Sequence, residues 1–183
     1  GFAMIATPLL ALFLDYQTAV LVAAVPLFVL AVYWLTVNRL YLFRSGMPWT
    51  LLPGIVTGAA LGVALQVSLP QRVTLLLLAA LILFSVMLPL IQRRWISESA
   101  MVSVRSAPWF GLFAGVTEAA LNVGAPFMVL FAGLARLSRL QLLIALNVCF
   151  ALGKSIQIAL LMIVAPIPLS LPLLIAGVIV SLL

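Results

Sequence analysis

Lys154 and Glu118 are charged side chains that lie deep inside apolar stretches of this sequence. Lys154 stands 13 residues from the start and 11 residues from the end of the stretch 141–165. At about 1.5 Å per helical residue, its ammonium group cannot reach either end of that stretch. A buried ammonium group usually faces a cavity or a partner. Lys154 therefore has two interpretations, which are a contact with an anionic substrate and an ion pair with Glu118.

Other polar residues in the apolar stretches could likewise have either a functional or a structural role. Glu118 could titrate where it is withdrawn from water, which would suit proton coupling, or it could neutralise Lys154. Asn122 could donate a hydrogen bond to an anion. Asn147 and Gln157 are explained as readily by hydrogen bonds between helices.

The segment "NVGAPFMVLF" at 122–131 interrupts an apolar stretch with residues that are poor in helix interiors. Proline suits the first turn of a helix, so Pro126 predicts a half-helix that begins inside the stretch. The segment "IATPLLALF" at 5–13 predicts a second half-helix that begins at Pro8, with Thr7 as its N-cap. The free N–H groups and the positive dipole end of each half-helix would attract an anion.

We expect the two half-helix ends to converge on one anion-binding site. Its candidate residues are Thr7, Pro8, Asn122, Gly124, Ala125, Pro126 and Lys154, with Glu118 as a proton-coupling residue or an ion-pair partner. The alternative is that the prolines only kink helices for packing. The sequence shows no nucleophile–base pair, nucleotide-binding glycine loop or metal-ligand spacing, so we predict neither an enzyme nor a bound cofactor or metal.

The composition indicates a membrane protein. The 183 residues are 67% hydrophobic and 7% charged, and the mean hydropathy is +1.40. So few polar groups could not cover a soluble domain. Apolar runs of about 20 residues recur, each long enough to cross roughly 30 Å of hydrocarbon. We predict an all-α polytopic membrane protein of the cell inner (cytoplasmic) membrane, with several spans in the lipid bilayer.

The net charge is +6, and most of the basic residues lie in short loops. The charge therefore does not indicate nucleic acid binding. There is no histidine, and Cys149 is the one cysteine, so neither an internal disulfide nor a Cys/His metal cluster is expected. Cys149 is explained as a small buried apolar side chain.

The apolar runs predict the membrane spans, and the basic residues between them predict their direction. The predicted spans are 17–38, 49–67, 73–91, 141–165 and a last one that starts near 171. Seven of the nine basic residues fall in three loops, which are 39–48, 92–107 and 135–140. The positive-inside rule places these loops in the cytoplasm. It places three loops outside, which are 14–17, 68–72 and 166–171.

This sidedness constrains the interrupted stretch 108–134, because both of its ends are then cytoplasmic. We expect it to enter and return as a re-entrant hairpin with its tip at 122–126. The competing interpretation is one tilted helix of 27 residues, which would extend about 40 Å at 1.5 Å per residue.

Two pairs of segments indicate an internal repeat. "ATPLLALF" at 6–13 matches "GAPFMVLF" at 124–131 with an offset of 118. "LPGIVTG" at 52–58 matches "LPLLIAG" at 171–177 with an offset of 119. A unit of one hairpin and three spans contains an odd number of crossings, so its second copy must be inverted. Secondary transporters commonly have such inverted repeats, with broken helices at the binding site.

The repeat divides the chain into a first copy at 1–91, a cytoplasmic linker at 92–107 and a second copy at 108–183. The first copy lacks an arm equivalent to 108–122, and the second lacks an equivalent of the span 73–91. We therefore expect the protein to continue beyond both ends of this sequence.

Glycines at intervals of four residues predict close helix packing rather than a ligand site. They are Gly54, Gly58 and Gly62 in one stretch and Gly111 and Gly115 in another.

The sequence resembles the sulfite exporter TauE/SafE family of membrane permeases over nearly its whole length. The resemblance depends on "GLFAGVTEAALNVGAPFMVLF" at 111–131, on its weaker twin that ends in "ATPLLALF", and on the basic linker. Ala125 departs from a glycine that is usual in the family, as do Ala6 and Thr7 from another pair.

The resemblance implies export or uptake of sulfite, sulfonates or other sulfur-containing anions, whereas the half-helix argument by itself implies only an anion. We therefore predict a secondary transporter that moves a small anion by alternating access. A non-transporting membrane subunit and an intramembrane enzyme are the alternatives, and assembly as a homodimer is left open.

Overall fold

The computed structural model describes residues 2–95 and 102–164. These residues form eight α-helices and one short 3-10 turn at Val104–Ser106, without a strand. The helices are α1 (Phe2–Leu10), α2 (Tyr16–Val37), α3 (Arg39–Arg44), α4 (Leu51–Ser68), α5 (Gln71–Trp95), α6 (Ala107–Leu121), α7 (Ala125–Leu134) and α8 (Arg139–Val164). The last predicted span, the repeat match at 171–177 and linker residues 96–101 lie outside the described residues.

Four of the helices are long and apolar enough to cross a membrane. They are Tyr16–Val37, Leu51–Ser68, the Gln71–Leu90 part of α5, and Arg139–Val164. Each coincides with one of the first four predicted spans. The prediction of an all-α polytopic membrane protein is therefore confirmed.

Helices α6 and α7 form a hairpin. The helical conformation ends at Leu121 and resumes at Ala125. The backbone N–H of Val102 donates to the carbonyl oxygen of Leu134 at 3.2 Å, which places the end of α7 beside the segment that leads into α6. The chain therefore turns back on itself, and the alternative of one continuous helix over 108–134 is wrong.

Two of the predicted cytoplasmic loops, 39–48 and 135–140, lie at one end of the helix bundle. The Gln141 side chain, in the first turn of α8, donates to the carbonyl oxygens of Ser45 at 3.0 Å and Gly46 at 3.3 Å. Asp15 and Gln71, which belong to the predicted outside loops 14–17 and 68–72, line one cavity together. This grouping agrees with the predicted separation of the loops, and the assignment of one end to the cytoplasm stays a prediction.

Helices α4 and α6 run parallel and approach closely through glycine. A Cβ on Gly58 would lie 2.2 Å from the carbonyl oxygen of Leu112, and one on Gly115 would lie 2.4 Å from that of Ile55. Backbone atoms cannot move aside as a flexible side chain can, so these positions exclude larger residues. The glycines with such contacts are Gly54, Gly58, Gly62, Gly111 and Gly115. The packing role predicted for them is confirmed, and this contact fixes the position of α6.

Candidate anion-binding site

Lys154 is fully buried on α8 and is surrounded by oxygen atoms. Its Nζ lies 2.8 Å from Glu118 Oε1 as an ion pair, and both side chains are 0% exposed. Nζ also donates to the carbonyl oxygen of Glu118 at 3.0 Å and to Gln157 Oε1 at 3.0 Å. A further hydrogen bond joins Nζ to Asn122 Oδ1. The ion-pair interpretation of Lys154 and Glu118 is therefore correct for this conformation.

Glu118 also connects Lys154 to the beginning of α7. Its second carboxylate oxygen, Oε2, accepts a hydrogen bond from the backbone N–H of Gly124 at 2.8 Å. Gly124 is the N-cap of α7, and Pro126 stands in the first turn, as the sequence predicted. The positive end of this half-helix thus already has an anion beside it, which is the carboxylate of Glu118.

Two glycines leave room for that carboxylate. A Cβ on Gly124 would lie 2.8 Å from the Glu118 Cβ and 3.0 Å from Oε2. A Cβ on Gly153, which precedes Lys154, would lie 3.1 Å from the Glu118 Cγ. Gly124 was predicted from the sequence as a site residue and Gly153 was not, although Gly153 stands next to the buried lysine.

Asn122 joins the hairpin tip to the first part of the chain. It has a left-handed backbone conformation with φ 59° at the end of α6, which asparagine tolerates better than most residues. Its Nδ2 donates to Thr7 Oγ1 at 3.0 Å and to the carbonyl oxygen of Val20 at 3.1 Å. Because Asn122 Oδ1 accepts from Lys154, one amide connects α1 and α2 with α8.

The prediction for α1 is wrong in one respect. Pro8 lies inside α1, which runs from Phe2 to Leu10, so it does not begin a half-helix and Thr7 is not an N-cap. The backbone N–H of Ala11 donates to the carbonyl oxygen of Thr7 at 3.0 Å, so helical hydrogen bonding continues past the proline. Apolar helices tolerate a proline where neighbouring groups compensate. Thr7 still reaches the site, through its buried hydroxyl group.

The start of α7 contains the remaining candidates. Ala125 is its first residue, and Pro126 follows it and is buried. Most of the predicted residues around Lys154 therefore lie together, and Pro8 is present only as part of α1. Asn147 is not part of the cluster, because its side chain donates to the carbonyl oxygen of Leu143 on its own helix at 2.8 Å.

Gln66 is a buried residue that the sequence analysis missed. Lys154 can only donate, so Gln157 must present Oε1 to it and Nε2 to its other neighbours. Gln157 Nε2 donates to the carbonyl oxygen of Ala119 and to Gln66 Oε1, the latter at 3.3 Å. Gln66 Nε2 is then left buried without a hydrogen-bond partner among the residues that the structure describes. A glutamine near the end of a predicted span was the signal available in the sequence.

Cavities differ in their suitability for an anion. One of about 490 Å³ lies between α4, α5, α6 and α7, and its walls are mostly apolar, for example Leu77, Phe84 and Phe127. A smaller one of about 250 Å³ is lined by polar groups that include Gln66 and Asp15. Apolar walls do not offset the loss of water from an anion. The larger cavity therefore does not suit an anion. The cluster around Lys154 suits one better, because it offers an ammonium group and a backbone N–H.

Within residues 2–95 and 102–164 the structure shows no group of three His, Cys, Asp or Glu side chains that could hold a metal ion. The charged groups at the site are one ammonium and one carboxylate, which balance each other. This arrangement provides hydrogen-bond donors and a positive charge beside a helix N-terminus.

The fold and the site define an integral membrane protein of the polytopic all-α class, with a charge-paired polar centre between a helical hairpin and a spanning helix. The family model for the sulfite exporter TauE/SafE matches residues 1–183, which is the whole chain. The chain therefore belongs to the sulfite exporter TauE/SafE family, whose members are membrane permeases and not enzymes. No curated protein and no solved structure matches it.

Proposed function

We propose that this protein is a secondary transporter that moves a small sulfur-containing anion, such as sulfite or a sulfonate, across the cytoplasmic membrane. The observation that carries the proposal is the position of the Glu118 carboxylate. It lies between Lys154 Nζ at 2.8 Å and the Gly124 N–H at 2.8 Å. Donors that hold a carboxylate in this way can also hold the oxygen atoms of sulfite or a sulfonate.

The proposed substrate site lies between Lys154 and the beginning of α7. Lys154 provides the charge, which acts strongly where water is excluded. The Gly124 N–H and the other N–H groups in the first turn of α7 provide direction, and Ala125 and Pro126 form the wall of that turn. Asn122 and Thr7 connect the site to α1 and α2.

Transport requires the site to open to each side of the membrane in turn. Lys154 and Glu118 are both 0% exposed in this structure, so the anion can enter only after helices separate. We propose that the α6–α7 hairpin and the predicted inverted repeat, with units 1–91 and 108–183, provide this alternating access. The basic loops would face the cytoplasm, and the chain would cross the inner membrane several times.

Flux measurements with purified protein in liposomes test this function. Labelled sulfite and labelled methanesulfonate should accumulate in liposomes that contain the wild-type protein and not in empty liposomes. Ser155→Ala is a matched control for Lys154→Gln, because Ser155 is the next residue on α8 and its hydroxyl donates to the Ala151 carbonyl oxygen of the same helix at 2.7 Å. We expect Ser155→Ala to transport like the wild type. Absence of flux for every sulfur-containing anion tested would favour a non-transporting membrane subunit.

A further inference from the structure

We infer that Glu118 is a built-in counter-anion, which a substrate anion displaces from Lys154 and from the start of α7 as Glu118 takes up one proton. This inference depends on the proposed function, since it concerns the same site. It adds the identity of the coupling ion and the number of protons bound for each anion.

The geometry places Glu118 where the substrate would bind. Its Oε1 is 2.8 Å from Lys154 Nζ, and its Oε2 is 2.8 Å from the backbone nitrogen of Gly124. Both carboxylate oxygens are therefore engaged by the donors that an incoming anion needs. The close approach of Gly124 and Gly153 to the Glu118 side chain leaves little room for a second anion beside it. Substrate and Glu118 carboxylate must compete for the same donors.

The charge balance of the buried site determines what accompanies the anion. Lys154 and Glu118 together carry no net charge, and neither reaches solvent. A monovalent anion would leave the site with one unbalanced negative charge, which is costly away from water. If one proton from water binds the Glu118 carboxylate, the neutral acid releases Lys154, and the site is again neutral with Lys154 paired to the anion. One proton is thus taken up for each monovalent anion.

Few other groups could take that proton. Lys154 must stay protonated to hold the anion. Cys149 on α8 is fully buried, and its thiol is already protonated when neutral. The hydroxyl of Tyr16 on α2 donates to the Ala120 carbonyl oxygen at 2.9 Å. Helix α7 itself, and helices α1 and α4 beside the hairpin, contain no titratable side chain in their sequences. Helix α5, which also packs on the hairpin, contributes only arginines, and these stay protonated. Glu118 is therefore the proton acceptor.

Titration calorimetry on the whole protein in lipid nanodiscs measures the proton count directly. Methanesulfonate is the probe, because it stays monovalent throughout the working pH range, whereas sulfite itself titrates near neutral pH. Binding heats in buffers of different ionisation enthalpy give the number of protons taken up for each anion. We expect about one proton for the wild type and none for Glu118→Gln, and an affinity for the wild type that rises about tenfold for each pH unit that the pH falls.

The outcomes separate the two proposals. Methanesulfonate binding without proton uptake, and with an affinity that does not depend on pH, would overturn the role of Glu118 and leave the anion site standing. Absence of binding by both methanesulfonate and sulfite to folded wild-type protein would overturn the proposed function and this inference with it. The wild-type pH series decides the matter even if Glu118→Gln does not fold.

Discussion

Lys154 Nζ and Glu118 Oε1 lie 2.8 Å apart in the interior of a membrane protein, and neither side chain reaches solvent. The pair connects a long spanning helix, α8, with the first arm of the α6–α7 hairpin. Through Gly124 it also reaches the start of the second arm. Substitutions at these residues should therefore change both stability and transport. Matched variants are needed to distinguish the two effects.

Removal of one partner of the pair should destabilise the fold more than removal of both. Lys154→Gln leaves a buried, unpaired carboxylate, which we expect to cost about 3–5 kcal/mol of unfolding free energy. The double variant Lys154→Gln/Glu118→Gln removes both charges and should recover much of that loss. Thermal unfolding in nanodiscs measures the difference. Equal stability of the single and double variants would show that the pair is not coupled.

The two buried glutamines should differ in their effect on stability. Gln66→Leu removes an Nε2 that has no hydrogen-bond partner among the described residues, and an Oε1 that accepts from Gln157 at 3.3 Å. Because Gln157 Nε2 keeps its bond to the Ala119 carbonyl oxygen, we expect a change of less than about 1 kcal/mol. Gln157→Leu removes an acceptor of Lys154 and should cost about 1–3 kcal/mol. The two variants change the same chemical groups, so thermal unfolding of one is the control for the other. A larger loss for Gln66→Leu would contradict this hydrogen-bond assignment.

Close packing of α4 on α6 should not tolerate an added methyl group. Gly58→Ala would place a Cβ 2.2 Å from the carbonyl oxygen of Leu112, and we expect a loss of about 1–3 kcal/mol or more. Val56→Ala on the same helix is the control, because Val56 is 43% exposed. Folded yield and thermal unfolding are the readouts. A Gly58→Ala protein as stable as the wild type would argue against this helix contact.

Residues 135–140 should face the cytoplasm, since Arg136 and Arg139 lie within this short loop. In a Cys149→Ala background, a cysteine introduced at Ser138 should resist an impermeant thiol reagent added outside intact cells. A cysteine introduced at Gln71, which the rule places outside, should react and so serves as the control. Ready labelling at position 138 from outside would overturn the predicted sidedness.

Much of the fold could be predicted because it depends on the composition of long segments. Apolar length fixed the four spans, and Pro126 after Gly124 correctly marked the start of α7. The corresponding prediction that Pro8 begins a half-helix was wrong, because Pro8 lies within α1. A proline can begin a helix or lie within one, and contacts with neighbouring helices determine which of the two occurs.

Contacts within the site were less predictable. The polar residues near Lys154 could be named, but their partners depend on how α6 and α8 approach each other. That the Glu118 carboxylate meets the Gly124 N–H depends on the turn at Asn122, whose left-handed backbone asparagine permits but does not require. Gln66 was missed because its contact with Gln157 joins residues that are 91 positions apart.

Transport by the double variant Lys154→Gln/Glu118→Gln tests the central claim most directly. This variant carries no unpaired buried charge, so a loss of function cannot be attributed to an orphaned carboxylate. Uptake of labelled methanesulfonate into liposomes should be abolished, although the protein stays folded and Ser155→Ala transports normally. This is the expected result if Lys154 binds the anion. Transport at the wild-type rate by the folded double variant would contradict the account, because Lys154 would then serve only as the partner of Glu118.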